Sequence, residues 1–335
     1  MRPVHWTKQL QDIIDQHNNV AALRDKVVSN RTREVRAETL FNSFRDLRNL
    51  GYKLQDVKNF RGKHAQALMD HWVGAGLGPG TIQQKWSVIR IYCRWIGKEG
   101  MVEDAEKYVR DPQLVTRSYL PAHDKSWTAK AVDPAAMFET VETISPVIAV
   151  ALELELAFGL RRRESLMCKP IRADQGNYLS IETNDGPKNG RARMVPIDTD
   201  QKRAVIERAK AMVKFADMRL GELLRDRNGN VLRLEQAVNR FTKVLQKCGI
   251  TKRGLGVTAH GLRHQFANDQ YELDLGQASP VRGGEGGSTP ETLAARQKIS
   301  LDLGHTRVSI TSAYLGSLKK KKTVDVGAEE ELRKE

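Results

Sequence analysis

The sequence predicts a mainly α protein with two domains: one all-helical, the other mostly helical with a small antiparallel sheet (mixed α+β). Three observations predict this fold. The chain has 335 residues, of which 40% are hydrophobic, which is enough for two cores. Apolar residues recur at helical spacing through most of 31–110 and 131–318. Two short segments, 178–183 and 191–197, are joined by a turn-rich loop and are typical of a β-hairpin.

The first domain is predicted over 31–110, after an N-terminal arm or first helix over 1–30 with helical character from 8 to 28. Thr81 is predicted to cap a helix whose buried stripe includes Trp86. Trp72 also lies on an apolar stripe, so core packing of both rings is favoured over stacking on bases. The exposed faces of this domain are predicted to carry basic side chains: Arg31, Arg33, Arg36, Arg45, Arg48, Lys53, Lys58, Arg61, Lys63, Lys85, Arg90 and Arg94.

Residues 111–130 contain two prolines, mixed charge and no clear period, and we predict that they link the domains. Asp133-Pro134 and Ser145-Pro146 each predict the start of a helix, with a capping residue followed by proline at the first helical position. Gly159 is predicted to end the second of these helices.

Further helices are predicted at 202–215, 235–248 and 290–303, and Thr258 is expected to cap a helix that carries His260. The glycine-rich stretch 276–290 is interpreted as a surface insertion. The last segment, 319–335, is a basic then acidic tail that starts with four lysines.

The charge of the chain indicates a polyanionic partner. Lys and Arg number 55 against 41 Asp and Glu, which gives a net charge of +14 and an isoelectric point near 9.7. Cys93, Cys168 and Cys248 are far apart and form no CxxC pair, so we expect core residues and no disulfide or zinc site. No apolar run is long enough for a membrane span, and the first residues have no signal-peptide core.

Five residues in the second domain have the chemistry needed to attack a phosphodiester. They are Arg161, His260, Arg263, His305 and Tyr314. Arginine holds phosphate oxygens through a planar fork that stays charged, and a phenol needs help from a base to become a nucleophile. Arg263 follows His260 by three residues, so one helix face presents both side chains.

In these residues the chain resembles the tyrosine recombinase (phage integrase) family, whose order is Arg, Lys, His-x-x-Arg, His and Tyr. The lysine of the series is Lys188, which lies in the hairpin loop, and Tyr314 follows His305 by nine residues as the family requires. Residues 31–110 are similar to the family's helical core-binding domain, and 131–318 to its catalytic domain. The interval between Arg263 and His305 is longer than the family's, because the glycine-rich stretch lies inside it.

The resemblance implies a role for each residue. Tyr314 attacks the scissile phosphate and forms a 3′-phosphotyrosyl bond, while Arg161 and Arg263 hold the phosphate. His260 and His305 assist proton transfer, and Lys188 protonates the departing 5′-oxygen. Two residues are expected in support: Glu164 and His264. Contacts to the DNA backbone are expected from Arg31, Arg33, Lys63, Lys85, Arg90 and Arg162.

The resemblance also implies partners and conditions. We expect double-stranded DNA with a specific recombination site, a homotetramer on DNA, and an accessory DNA-bending protein. No metal, ATP or other cofactor is implied, and no membrane. The expected location is the cytoplasm of a bacterial cell or a phage-infected host.

Two other functions remain open for this sequence, and a third, a metal-dependent nuclease, is disfavoured because the sequence has no clustered carboxylates. A type IB topoisomerase uses the same phosphotyrosine chemistry without a site preference, and a non-catalytic DNA-binding relative would use none. Each residue taken alone also has an ordinary explanation: the arginines at 161–163 as a solvated helix face, the histidines as capping or core residues, and Tyr314 as a half-buried surface residue. Their combined order and spacing favour the recombinase.

Overall fold

The computed structural model describes residues 4–21, 24–182 and 192–318, and the chain divides into two units after Ser118. In the described part of the chain, no helix is long and apolar enough to cross a membrane. The N-terminal unit contains α1 (Trp6–His17), β1 (Val20–Ala21), β2 (Arg24–Val27), α2 (Asn30–Asn49), α3 (Gly62–Gly74) and α4 (Pro79–Trp95). Short 3-10 turns connect and follow these helices.

One apolar core holds the N-terminal unit together. Leu10 and Ile14 of α1 belong to the same core as Phe44 of α2 and the two tryptophans of α3 and α4. Trp72 and Trp86 are each 1% exposed and meet edge to face at 6.4 Å, which confirms core packing. Burial of such large rings is the main stabilising term of a small helical unit.

Three local predictions for this unit are wrong. The first helix ends at His17 instead of continuing to 28, because Asn18 turns away to donate to the Arg33 carbonyl and a short antiparallel pair follows. Helix α4 begins at Pro79, whose fixed φ suits the first helical position, so Thr81 does not cap it. Arg36 is 7% exposed and lies in the interior rather than on a basic face.

The C-terminal unit contains α5 (Pro134–Glu142), α6 (Pro146–Phe158), α7 (Arg162–Met167), α8 (Pro170–Ala173), β3 (Tyr178–Ile181), β4 (Arg193–Pro196), α9 (Asp200–Met212), α10 (Leu234–Lys247), α11 (Ala259–Leu275), α12 (Pro290–Asp302) and α13 (Ser312–Leu315). The Asp133 side chain caps α5 as expected, by accepting from the Ala135 N–H. The strands β3 and β4 pair antiparallel, with Tyr178 opposite Pro196 and Ile181 opposite Arg193.

Helix α6 is the centre of this unit. It is apolar on nearly every side, and it contacts α5, α7, α9 and α11. A helix that is hydrophobic all round must be buried, which explains why the next helices pack around it. Because α7 follows α6 directly and α11 crosses it, Arg161 and Arg263 come into one region.

The segment predicted as a linker is partly built into the two cores. Val115 is fully buried in the N-terminal unit, and Trp127 is fully buried in the C-terminal unit. Such a segment shows no sequence period, because single anchor residues and not a repeating face hold it.

The glycine-rich stretch is not a loose surface insertion. It contains a 3-10 turn, Pro280–Arg282, and the preceding Ser279 is fully buried. Cys93 and Cys168 are buried as expected, while Cys248 is half-buried.

Candidate active site

The junction of α6 and α7 positions Arg161. Gly159 ends α6 in the left-handed region at φ +61°, and a Cβ there would lie 2.5 Å from a Phe266 ring carbon. Only glycine suits both the backbone angle and the close approach. The chain turns there, and Arg161 becomes the residue that precedes α7, with its backbone N–H bonded to the Glu164 carboxylate at 2.8 Å.

Glu164 is a buried carboxylate shared by two arginines. It is 3% exposed, and it accepts from Arg161 Nη1 at 2.7 Å and from Arg193 Nη2 at 2.8 Å. Burial alone would raise the pKa of Glu164, but hydrogen bonds and charge from Arg193 and Arg161 lower it to about 2. The carboxylate therefore stays ionised and holds the Arg161 guanidinium by a hydrogen bond.

Arg193 also belongs to this cluster, although the sequence did not predict it as a site residue. It lies on β4, its side chain is 5% exposed, and its Nε donates to the Asp302 carbonyl at 2.7 Å. It also contacts the turn before His305, because a Cβ at Gly304 would lie 3.0 Å from Arg193 Nη1. The sequence contains a pattern that could have indicated it. Strand alternation puts Arg193 on the same face as the buried Val195, and an arginine that points inward needs a buried carboxylate as its partner.

Arg263 lies on α11 and is fully buried. Its guanidinium donates to the carbonyls of Gly159 and Leu303 and, through Nε, to the Tyr314 hydroxyl at 3.3 Å. Burial lowers the pKa of Arg263 to about 10, so it remains charged at neutral pH. Arg263 on α11 therefore bonds to three other parts of this unit: the end of α6, the end of α12, and α13.

Tyr314 lies on the single turn α13 and is 7% exposed. Its hydroxyl lies 3.5 Å from His305 Nε2, and that nitrogen lies 3.3 Å from Arg263 Nη2. An arginine N–H can only donate, so Nε2 of His305 is the acceptor in its contact with Arg263, and the phenol shares that one lone pair. The ring of His264 faces the Tyr314 ring at 4.7 Å.

The imidazoles of this cluster are poor bases for a proton from solvent. Burial and the charge of Arg263 lower the pKa of His305 to about 4. Burial and the neighbouring His260 lower the pKa of His264 to about 3. Both rings are therefore neutral at pH 7.

His260 is the most exposed member of the cluster. Its ring lies 5.2 Å from that of His264 and 6.1 Å from that of Tyr314. Desolvation and the charges of Arg263 and Arg161 lower the pKa of His260 below its usual range. Trp127 fixes the start of its helix, since the indole Nε1 donates to the Thr258 carbonyl at 2.8 Å.

The structure therefore brings together Arg161, Glu164, His260, Arg263, His264, His305 and Tyr314. Lys188 lies outside the described residues, as do the lysines at 319–322. Arg162 is exposed nearby and donates to Thr242 at 3.0 Å. Among the described residues, no group of three His, Cys, Asp or Glu side chains could hold a metal ion.

The other basic residues expected to contact DNA belong to the N-terminal unit. Arg31 and Arg90 form ion pairs with Glu34 and Asp104 at 3.3 and 2.6 Å. Arg33 donates to Asn19 at 2.7 Å, Lys63 is exposed, and Lys85 lies 4.8 Å from the centre of the Trp72 ring.

Two family models match the chain. Residues 125–269 match the model described as Integrase, and 16–102 match the model described as Phage integrase, N-terminal. No curated protein matches the chain in sequence.

The fold is similar to those of solved integrases. The integrase of transposon Tn1549, solved with circular intermediate DNA, has 14% identity and a TM-score of 0.58, with 98% of each chain covered. Lambda integrase bound to DNA has 13% identity and a TM-score of 0.56, with 95% of this chain and 99% of that chain covered. Lambda integrase solved as a tetramer bound to a Holliday junction has 14% identity and a TM-score of 0.52, with 91% of this chain and 77% of that chain covered. The two sequence models and the shared fold together make this chain a member of the tyrosine recombinase (phage integrase) family.

Proposed function

We propose that this protein recombines DNA at a specific site by using Tyr314 as a nucleophile that forms a 3′-phosphotyrosyl bond. Its family consists of DNA-binding recombination enzymes, and the finer mechanism is inferred from the site. The observation that carries the proposal is the pair of contacts to the Tyr314 hydroxyl, from Arg263 Nε at 3.3 Å and His305 Nε2 at 3.5 Å.

Two guanidinium groups supply positive charge for the phosphate, and Arg161 is the one with donors left for it. Arg161 uses Nη1 for Glu164, and its Nε and Nη2 form no hydrogen bond within the described part of the chain. Those two donors match the geometry of two phosphate oxygens. Arg263 adds a second fixed charge, and a positive charge held in a buried site stabilises the pentacovalent transition state more strongly than it would in water.

The proton path follows from the same contacts. The phenolic oxygen of Tyr314 attacks phosphorus as the P–O5′ bond breaks, and its proton, which becomes strongly acidic only as the new P–O bond forms, passes to Nε2 of His305. Lys188 supplies the proton that the departing 5′-oxygen takes, and His260 donates a hydrogen bond to a non-bridging oxygen. Religation reverses each step. One ester bond replaces another, so no external energy source enters the balance.

Partners follow from the reaction. Recombination joins two duplexes through four strand cleavages, so we propose that four copies act together on DNA. We further propose an accessory DNA-bending protein and a cytoplasmic, DNA-associated location in a bacterial cell or a phage-infected host.

A nicked suicide substrate tests the nucleophile. In this substrate the 5′-product diffuses away, so that any covalent protein–DNA adduct accumulates. The wild-type chain should form the adduct, also in the presence of EDTA, and Tyr314→Phe should bind the same DNA and form none. The matched control is Tyr178→Phe, a change at a 46% exposed tyrosine on β3, which should leave the adduct intact. An adduct in Tyr314→Phe would overturn the assignment.

The same preparation separates the two open alternatives. A topoisomerase would relax supercoiled plasmids of any sequence at equal rates, whereas a recombinase should form adducts only at its own site. A wild-type chain that binds DNA but forms no adduct would be a non-catalytic relative.

A further inference from the structure

The glycine-rich stretch folds into a tight turn over 279–284. Gly283 lies in the left-handed region at φ +98°, and a Cβ at Gly284 would lie 1.7 Å from the Ala278 carbonyl oxygen. The N–H groups of Arg282 and Gly284 both bond to the Ser279 carbonyl, at 2.9 and 3.0 Å. The glycines are therefore required by a defined backbone path, which we call the 279–284 turn.

The 279–284 turn contacts the segment that carries Tyr314. The Ser279 hydroxyl donates to Asn268 Oδ1, and both side chains are fully buried. Asn268 Nδ2 in turn donates to the carbonyls of His264 at 2.8 Å and Tyr314 at 3.4 Å. At the end of α13, a Cβ on Gly316 would lie 3.0 Å from the Val281 nitrogen. The turn thus supports α13 both through Asn268 and by direct packing.

Arg282 anchors the 279–284 turn. Its guanidinium bonds to Asp124 at 2.9 Å, to Asp269 at 2.7 Å and to the Ser126 hydroxyl at 3.1 Å, and lies 3.0 Å from Glu272. Partial burial lowers the pKa of Arg282, but these carboxylates raise it above its usual range, so the charge is permanent. A charged group with this many partners is held in one geometry.

The segment that binds Arg282, residues 124–127, also contacts the start of α11. Asp124 and Ser126 lie within three residues of Trp127, whose indole Nε1 donates to the Thr258 carbonyl. A Cβ on Gly261 would lie 2.7 Å from the Lys125 carbonyl oxygen, so this segment packs tightly against the first turn of α11. The first turn of α11 carries His260. The 279–284 turn and its anchor therefore contact the surroundings of both His260 and Tyr314.

We propose that the 279–284 turn is a brace that holds the Tyr314 segment against α11, with Arg282 as a positioning residue for strand cleavage. This rests on the proposed role of Tyr314 as the nucleophile. Displacement of a reacting group by about 1 Å can cost about 100-fold in rate. Loss of the brace should therefore slow the attack while leaving DNA binding intact.

The test compares Arg282→Gln with Arg208→Gln. Arg208 is the matched control because it too pairs with more than one carboxylate, Glu142 and Glu153, but lies on α9. Three quantities are measured: the DNA dissociation constant, the first-order rate of adduct formation at saturating suicide substrate, and hydrogen exchange of the peptide 308–318. In Arg282→Gln the adduct rate should fall about 10- to 100-fold, with affinity within about twofold and faster exchange in 308–318. Arg208→Gln should leave all three near wild type, and Arg282→Lys should recover part of the rate.

Two results would overturn the brace. One is unchanged exchange in 308–318 for Arg282→Gln, and the other is a loss of rate that Arg208→Gln shares equally. Failure of the proposed function looks different: the wild-type chain forms no adduct, or Tyr314→Phe still forms one. The exchange comparison tests the brace in that case too, because it requires no activity.

Discussion

At the residue scale, charge pairing inside the C-terminal unit determines which side chains can do chemistry. Arg161 and Arg193 share Glu164, and Arg263 is held by carbonyl oxygens instead. The first arrangement leaves part of Arg161 free for a ligand. The second fixes Arg263 beside the Tyr314 hydroxyl and keeps it charged.

Arg193→Gln should destabilise the protein strongly, because it leaves the buried Glu164 with one of its two close partners. Removing one side of a buried ion pair costs about 3–5 kcal/mol in the free energy of unfolding. The control is Arg219→Gln, which breaks a half-exposed pair with Glu222 at 3.1 Å and should cost less than about 1 kcal/mol. Urea unfolding measures both, and equal losses would contradict a structural role for Arg193.

Glu155 should make stability depend on pH. It is 1% exposed on α6, and burial raises its pKa to about 8 despite a hydrogen bond from Ser165 and the charges of Arg162 and Arg263. The folded state then binds a proton that the unfolded state has lost, so stability is lost as pH rises from about 4.5 towards about 8. Glu155→Gln removes this dependence. Melting curves at pH 5 and pH 9 should show that the variant gains stability relative to wild type at the higher pH. A difference in melting temperature that is the same at both pH values would contradict this role of Glu155.

At the element scale, helix junctions and turns set the site, and each depends on a close backbone approach. Helix α6 must stop at Gly159 so that α7 can begin with Arg161, and the Gly159 carbonyl also binds Arg263. The turn after α12 depends in the same way on Gly304, which packs against Arg193.

Gly159→Ala tests this dependence. Two costs add up: about 1 kcal/mol for a side chain in the left-handed region, and about 1–3 kcal/mol for overpacking against Phe266 and Leu303. Gly229→Ala is the control, since Gly229 has φ +82° with open space around its Cβ position and incurs only the first cost. The difference in unfolding free energy between the two variants isolates the packing. Equal losses of unfolding free energy in the two variants would mean that the α6–α7 junction relaxes to accept the extra methyl group.

At the scale of the whole molecule, the net charge of +14 and the fold of a DNA recombinase predict binding dominated by phosphate contacts. Counterion release then makes affinity fall steeply with salt. The basic side chains of the N-terminal unit are partly committed to ion pairs, as for Arg90 with Asp104, so the exposed and unpaired ones should carry most of the effect.

Lys63→Gln should reduce the salt dependence of DNA binding. Lys63 is exposed and forms no ion pair within the described part of the chain. If wild type makes about six or more phosphate contacts, its affinity should fall about 1,000-fold or more between about 50 and about 200 mM salt. Each phosphate contact removed should lower the slope of log affinity against log salt concentration by about 1. Fluorescence anisotropy gives both slopes. Lys8→Gln, at a lysine paired with Asp12 at 2.7 Å, is the control that should leave the slope unchanged.

Much of the fold and of the site could be read from the sequence, because local rules determined it. Helical spacing predicted α6, α10 and α12, the Asp133 cap predicted α5, and two short segments joined by a turn-rich loop predicted the β3–β4 pair. The order and spacing of Arg161, Arg263 and Tyr314 indicated the family, since the chemistry requires those residue types.

Only the tertiary structure determined the rest, because it depends on contacts between residues far apart in the chain. Arg193 and Glu164 are 29 residues apart, and Arg282 and Asp124 are 158 apart, so no local pattern links them. The glycine-rich stretch had the composition of a loose insertion, yet its glycines allow the backbone to pack closely enough to support Tyr314. The sequence by itself specified which chemical groups are present and in what order; tertiary packing decided which of them touch, because burial and pairing of charge exist only once the chain is folded.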